Sequence, residues 1–234
     1  MSAQRERIFN LPPATKTLIF ALTAVQFVVA YGPSELAQSL LTTFAFIPAR
    51  VTVEGGAEYA TMLTYSFLHG DWTHLIVNAL ALAAFGSPVE RRFGSARYLL
   101  FLASSAFAGA LVFLALHPNE ITPIVGASGA ISGTMGAIVR FAFTPGAQLA
   151  DGRRSPRAPY EAPSSTSLSQ LPLNRQAMFF LAAWLAANLL LGAFPQAAGA
   201  SGSIAWEAHL GGFLFGLLFF KFFDRAGQQA LSSR

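Results

Sequence analysis

Apolar positions in this chain are not spaced to make one buried stripe per element; they are gathered into long runs separated by polar connections. A helix needs about 20 mostly apolar residues to cross roughly 30 Å of hydrocarbon. Six runs approach that length: TKTLIFALTAVQFVVAYG (15–32), THLIVNALALAAFGSPV (73–89), ARYLLFLASSAFAGALVFLAL (96–116), GASGAISGTMGAIVRFAF (126–143), AMFFLAAWLAANLLLGAF (177–194) and AWEAHLGGFLFGLLFFKFF (205–223). The third is the purest, and the fourth is diluted by glycine. The pattern predicts an all-α polytopic membrane protein with six transmembrane helices.

The connections differ in kind. Residues 145–175, PGAQLADGRRSPRAPYEAPSSTSLSQLPLNR, are rich in Pro, Ser, Ala and Arg without sustained periodicity, and read as a flexible linker. The outer loop from Pro33 to His69 is long yet holds the apolar pieces LLTTFAFIPARVTV and YATMLTYSFLH, so it is expected to fold against or partly into the outer leaflet, where protein must shield it. The division is an amino-terminal arm (1–14), a membrane domain (15–223) containing the linker, and a carboxy-terminal tail (224–234). No internal repeat is evident. The arm and first run lack the small-residue cleavage site of a signal peptide, and the first span is expected to be retained.

Composition sharpens this. Charged residues make up 11% of the chain against roughly a quarter in soluble domains, and 53% of residues are apolar, 22 of them Phe. There is no cysteine, hence no disulfide and no thiolate chemistry. The net charge of +4 and pI near 9.9 would suit nucleic acid if the cations formed a patch, but they alternate with the spans. Fourteen of the 15 Lys and Arg residues fall before span one, after even-numbered spans, or at their inner ends; Arg50 is the exception. By the positive-inside rule both termini are cytoplasmic, the basicity is a topology signal, and no nucleic-acid partner is expected. A multi-pass protein of the bacterial inner membrane is the expected setting.

Strongly polar side chains inside a bilayer are costly and are functional by default. His74 and Asn78 lie at i, i+4 at the start of span two, Ser128 starts span four, and His209 lies near the start of span six. Even-numbered spans all begin on the outer side, so the four groups share one depth just below the outer surface. Gly212 and Gly216 follow His209 at i+3 and i+7, on its own helix face, and Gly129 and Gly133 offer span four a matching stripe beside Gly126. Such stripes permit close backbone crossing and would aim His209 at Ser128. Taken alone, Ser128 is an ordinary packing serine, His209 a pore-lining or structural histidine, and His74 with Asn78 an interhelical bridge. Asn188 reads as interhelical glue, His69 as a loop brace, and Glu90 beside Arg91 and Arg92 as a structural tie.

The segments FLHGDWTHLIVNALALAAFGSPVERRFGSARYLL, GASGAISG and AHLGGFLFG, in this order and spacing, make the chain resemble the rhomboid family of intramembrane serine proteases. The resemblance implies a six-helix rhomboid bundle, a nucleophile at Ser128, a histidine base at His209, and an oxyanion hole from His74, Asn78 and the Ser128 amide. It also implies transmembrane proteins as substrates, and a gate formed by the fifth helix and outer loop. Two positions depart from the family pattern. Ser132 stands where an aromatic residue commonly stacks on the histidine, and Ala60-Thr61 where many members have Trp-Arg.

The chemistry is coherent on its own terms. A serine hydroxyl becomes nucleophilic when a base within hydrogen-bond reach takes its proton. His209 is the only histidine in the last two spans, and Glu207, two residues away on a helix, points elsewhere; the expectation is a Ser-His dyad. No metal cluster, phosphate loop or dinucleotide fingerprint is present, and no cofactor or metal is expected. Two other classes compete: a catalytically silent rhomboid-like protein binding transmembrane clients, against which retention of Ser128 and His209 speaks, and a small transporter, which would spread its polar groups through the membrane depth.

Overall fold

The computed structural model describes residues 11–143, 165–194 and 204–224. Regular structure among them is helical, with one isolated antiparallel bridge between Phe46 and Ile124. The helices are α1 (Pro13–Tyr31), α2 (Ser34–Phe44), α3 (Pro48–Glu54), α4 (Trp72–Phe93), α5 (Ser95–Leu116), α6 (Ser128–Phe141), α7 (Arg175–Ala193) and α8 (Trp206–Phe223). Short helical turns over residues 56–67 join α3 to α4.

Local chemistry explains the boundaries. Pro13 opens α1, where its missing N–H costs nothing. Asp71 caps α4 by accepting a 2.8 Å bond from the His74 amide. Within α4 the turn Leu82–Gly86 is widened to π geometry. Two residues on, Pro88 has no N–H for the Ala84 carbonyl and its ring crowds it, which disrupts the regular ladder there. Gly86 lies in this turn, and a Cβ on it would strike the Tyr98 hydroxyl.

Among the described residues four helices, α1, α4, α5 and α7, are long and apolar enough to cross a membrane, and they correspond to runs one, two, three and five. The fourth and sixth runs are α6 and α8. Helix α6 has 14 residues, and every one from Gly129 to Phe141 except Met135 is buried. Its weak hydrophobicity has its reason here: it faces protein and not lipid. Helices α5, α6 and α8 interlock backbone to backbone. A Cβ on Gly212 would meet the Gly129 carbonyl, one on Gly216 the Gly133 carbonyl, one on Gly136 the Phe213 carbonyl, and one on Gly109 the Ala208 carbonyl. The stripes proposed from the sequence are therefore the α6–α8 contact itself.

The end of the bundle opposite Ser128 is held by buried charge. The Glu90 carboxylate accepts from the Ala14 and Thr15 amides at 2.8 and 2.7 Å and from the Ser95 hydroxyl at 2.7 Å, so it holds the start of α1 against α4 and α5. Arg92 forks onto Asp224, with both bonds at 2.9 Å. Removing one partner of such a buried pair costs about 3–5 kcal/mol, because the other charge is stranded. Arg140, 1% exposed, donates to the Thr166 carbonyl at 2.8 Å and the Leu217 carbonyl at 2.7 Å.

Most of the linker read over 145–175, residues 1–10 of the amino-terminal arm and residues 225–234 of the carboxy-terminal tail lie outside the described residues. The last part of the linker is not loose chain. Residues Leu168–Leu173 form a 3-10 turn with Leu171 buried, and Asn174 caps α7 through the Ala177 amide while donating to the Phe143 carbonyl. The long connection from Pro33 to His69 packs on the helices, burying Ala45, Phe46, Val51, Met62, Tyr65 and Leu68. Where the family's Trp-Arg is missing, this connection is tied by the Arg50–Glu58 pair at 2.6 Å and by the Phe46–Ile124 bridge.

Candidate active site

Ser128 is the first residue of α6, so its side chain sits where the chain turns into the bundle. His209 lies in the first turn of α8. The crossing of α6 and α8 at Gly129 and Gly212 brings them together: Ser128 Oγ is 2.7 Å from His209 Nε2. That is a short, well-formed hydrogen bond.

The other nitrogen of the imidazole is also engaged. His209 Nδ1 lies 2.8 Å from Asn188 Oδ1, and Asn188 Nδ2 donates to the Trp206 carbonyl at 3.1 Å. Asn188 joins α7 to α8, the interhelical tie expected of a lone polar residue in its run, and it also engages the imidazole. The signal was present in the sequence, because Asn188 is the strongly polar residue of its run and sits toward the same end of the spans as the other four groups. Glu207 takes no part, as expected. Its carboxylate is 3.0 Å from His117 Nε2 at the end of α5. Ser132 is buried one turn deeper in α6, and the Nε2 of His209 is directed to Ser128.

Gly126 shapes the space beside the hydroxyl. Its φ of +124° is reserved for residues without a Cβ, and its amide donates to the Tyr65 carbonyl at 3.0 Å. A Cβ placed there would be 2.7 Å from His74 Nε2, 2.8 Å from His74 Cε1 and 3.7 Å from Ser128 Oγ. The gap between the His74 ring and the serine hydroxyl therefore exists because position 126 carries hydrogen alone. Tyr65 steadies this wall from behind, its hydroxyl donating to the Ala106 carbonyl at 3.0 Å.

On α4, Asn78 is buried and its amide nitrogen donates to the His74 carbonyl at 3.1 Å. An amide nitrogen has two hydrogens, so a second donor remains for another acceptor. His69 packs edge-on against His74, with ring centroids 5.0 Å apart. Burial first, then the neighbouring His74, pushes its imidazole down to about 4, so His69 is a neutral brace for the His74 ring at neutral pH. The amides of the first turn of α6 have no intrahelical acceptor, and the helix dipole there favours negative charge. A hydroxyl, a base, and a set of N–H donors around a glycine-made gap are the parts that acyl transfer requires. Among the described residues no cluster of His, Cys, Asp or Glu could hold a metal ion.

The chain is 35% identical over 103 residues to the rhomboid protease GluP of Bacillus subtilis, a stretch covering 44% of this chain and 20% of that protein. It is 33% identical over 112 residues to RHOMBOID-like protein 4 of Arabidopsis thaliana, covering 48% of this chain and 27% of the relative. It is 27% identical over 145 residues to the mitochondrial Rhomboid protein 1 of Saccharomyces cerevisiae, covering 54% and 39%. The chain thus spans well under half the length of each of these relatives. The Rhomboid domain profile matches residues 56–225, which include His74, Asn78, Ser128, Asn188 and His209. With a bundle of apolar helices and a domain match over most of its length, the chain is an integral membrane protein belonging to the rhomboid family.

Proposed function

We propose that the chain is a serine-type intramembrane endopeptidase that hydrolyses a peptide bond near the outer end of membrane-spanning substrates. The observation that carries this reading is the 2.7 Å bond between Ser128 Oγ and His209 Nε2, made between α6 and α8 beside the Gly126 gap. The orientation follows from the Lys and Arg bias: six spans in a bacterial inner membrane, both termini cytoplasmic, the site open to the outer side.

In this reading His209 Nε2 takes the Ser128 proton as Oγ forms a bond to the scissile carbonyl carbon. The carbonyl oxygen becomes an oxyanion in the gap bordered by His74. Donors from His74, Asn78 and the Ser128 amide stabilise it, each worth about 2.7–4 kcal/mol in sites of this kind. As the intermediate collapses, the C–N bond breaks and the imidazolium returns its proton to the leaving amine, giving an acyl-enzyme. Water then attacks the ester carbonyl with His209 again as base, and Ser128 is released. The substrate must be unwound locally, because a helical backbone keeps its carbonyls engaged.

The test is reconstitution in lipid with a synthetic transmembrane substrate, comparing wild type with Ser128→Ala and His209→Ala. Both substitutions are expected to abolish cleavage while the fold is kept. Turnover that persists in either variant removes the assigned pair.

A further inference from the structure

The hydrogen bonds around Asn188 form a chain whose directions can be read without seeing a proton. The Trp206 carbonyl can only accept, so the group of Asn188 facing it at 3.1 Å must be the NH2. That turns the amide oxygen toward His209 Nδ1, 2.8 Å away. An amide oxygen can only accept, so Nδ1 carries the proton. In a neutral imidazole Nε2 is then bare, and the bare nitrogen is the one 2.7 Å from Ser128 Oγ. The amide at 188 therefore selects the tautomer in which the histidine can accept the serine proton.

Placement adds to this. Asn188 lies on α7, where Ala177 and Asn188 are the buried residues and the remaining side chains lie nearer the surface. Helix α7 thus reaches the pair through a single inward polar group. Ser132, one turn along α6 from Ser128, has no ring to lay against the imidazole. Glu207, the carboxylate nearest in sequence, is committed to His117. Among the described residues Asn188 is what engages Nδ1.

We propose that Asn188 is a positioning residue that fixes the tautomer and orientation of His209, making the unit a Ser128–His209–Asn188 relay anchored on the Trp206 carbonyl. This rests on the proteolytic reading for its catalytic consequence, though not for its structural one. When the imidazole becomes imidazolium during attack, the Nδ1–H bond to Asn188 becomes charge-assisted and strengthens, so its loss is felt in the transition state more than in substrate binding.

The experiment uses the full chain in lipid nanodiscs with three readouts. Asn188→Leu, close in size and without hydrogen-bonding atoms, is expected to lower both kcat and the rate of fluorophosphonate labelling of Ser128 by about ten- to a hundredfold, with KM unchanged. Asn188→Asp keeps an acceptor and adds a negative charge, which favours imidazolium; its pH–rate profile is expected to lose activity at higher pH on the acid side than wild type. The 15N spectrum of His209 is expected to show a protonated Nδ1 in wild type and a tautomer mixture in Asn188→Leu. Wild-type kcat and labelling in the Leu variant, a change confined to KM, or an unshifted acid limb in the Asp variant each overturn the proposal. If the Leu variant fails to fold, the Asp profile and the wild-type spectrum decide. Failure of the proteolytic reading is separately visible as turnover in Ser128→Ala, which leaves the tautomer result standing.

Discussion

Replacing Gly126 by alanine tests the active-site gap most directly, since one methyl group reaches two distinct terms. The first is conformational. At φ +124° an L-residue sits in a region open almost only to glycine, at a cost of about 1–3 kcal/mol. The second is steric. The new Cβ would stand 2.7 Å from His74 Nε2 and 2.8 Å from Cε1, whereas carbon contacts settle at about 3.5–4.0 Å. The His74 ring must therefore retreat by about 0.8 Å or more, against His69 packed on its edge. An oxyanion donor displaced by that much is close to a donor lost, which costs roughly a hundred- to a thousandfold in kcat. Gly94→Ala is the control. Its φ of +79° imposes the same kind of backbone strain, but nothing lies within 4 Å of its added Cβ, and it lies between α4 and α5 at the other end of the bundle. The assay is steady-state cleavage of a transmembrane substrate at saturating concentration, with thermal unfolding in detergent run alongside. Both variants are expected to lose stability, Gly126→Ala the more because its Cβ also strikes the His74 ring, and only Gly126→Ala to lose activity. Wild-type kcat in a folded Gly126→Ala protein would refute the assignment of the gap to the reacting oxygen. Equal activity losses in both variants would show that strain alone accounts for the effect.

Gly216→Ala places a methyl group against the Gly133 carbonyl, a backbone atom that cannot swing aside. Helices α6 and α8 must part, at a stability cost of about 1–3 kcal/mol measured by thermal unfolding, and cleavage should fall with it because the Ser128–His209 bond depends on that crossing. Glu207→Gln should leave kcat within about twofold of wild type, because its carboxylate serves His117 and not the reacting histidine. A tenfold or larger drop in kcat there would assign Glu207 a part in orienting His209.

Much of the site was legible before the fold, and the reason is the membrane. A bilayer reduces the placement of a polar residue to one coordinate, depth, which charge bias and run lengths supply; Ser128, His209, His74 and Asn78 could be assigned one level from spacing alone. The glycine stripes were equally readable, since a helix has only one face at i, i+4, and a stripe of hydrogens has little use other than close approach. What depth cannot supply is lateral direction. Asn188 shared the level of the other polar groups, yet whether it faced a backbone, a lipid or the imidazole depended on the rotation of α7 about its axis, which its nearly uniform apolar composition leaves undetermined. The partner of Glu207, the widened turn before Pro88 and the packed 3-10 turn ahead of α7 are of the same kind. The chain by itself determined how many apolar rods there are to place and at what height each polar group rides. Only the tertiary structure decided which of those groups face one another, because a hydrogen bond spans about 3 Å and its partners lie 21 and 81 residues apart along the chain.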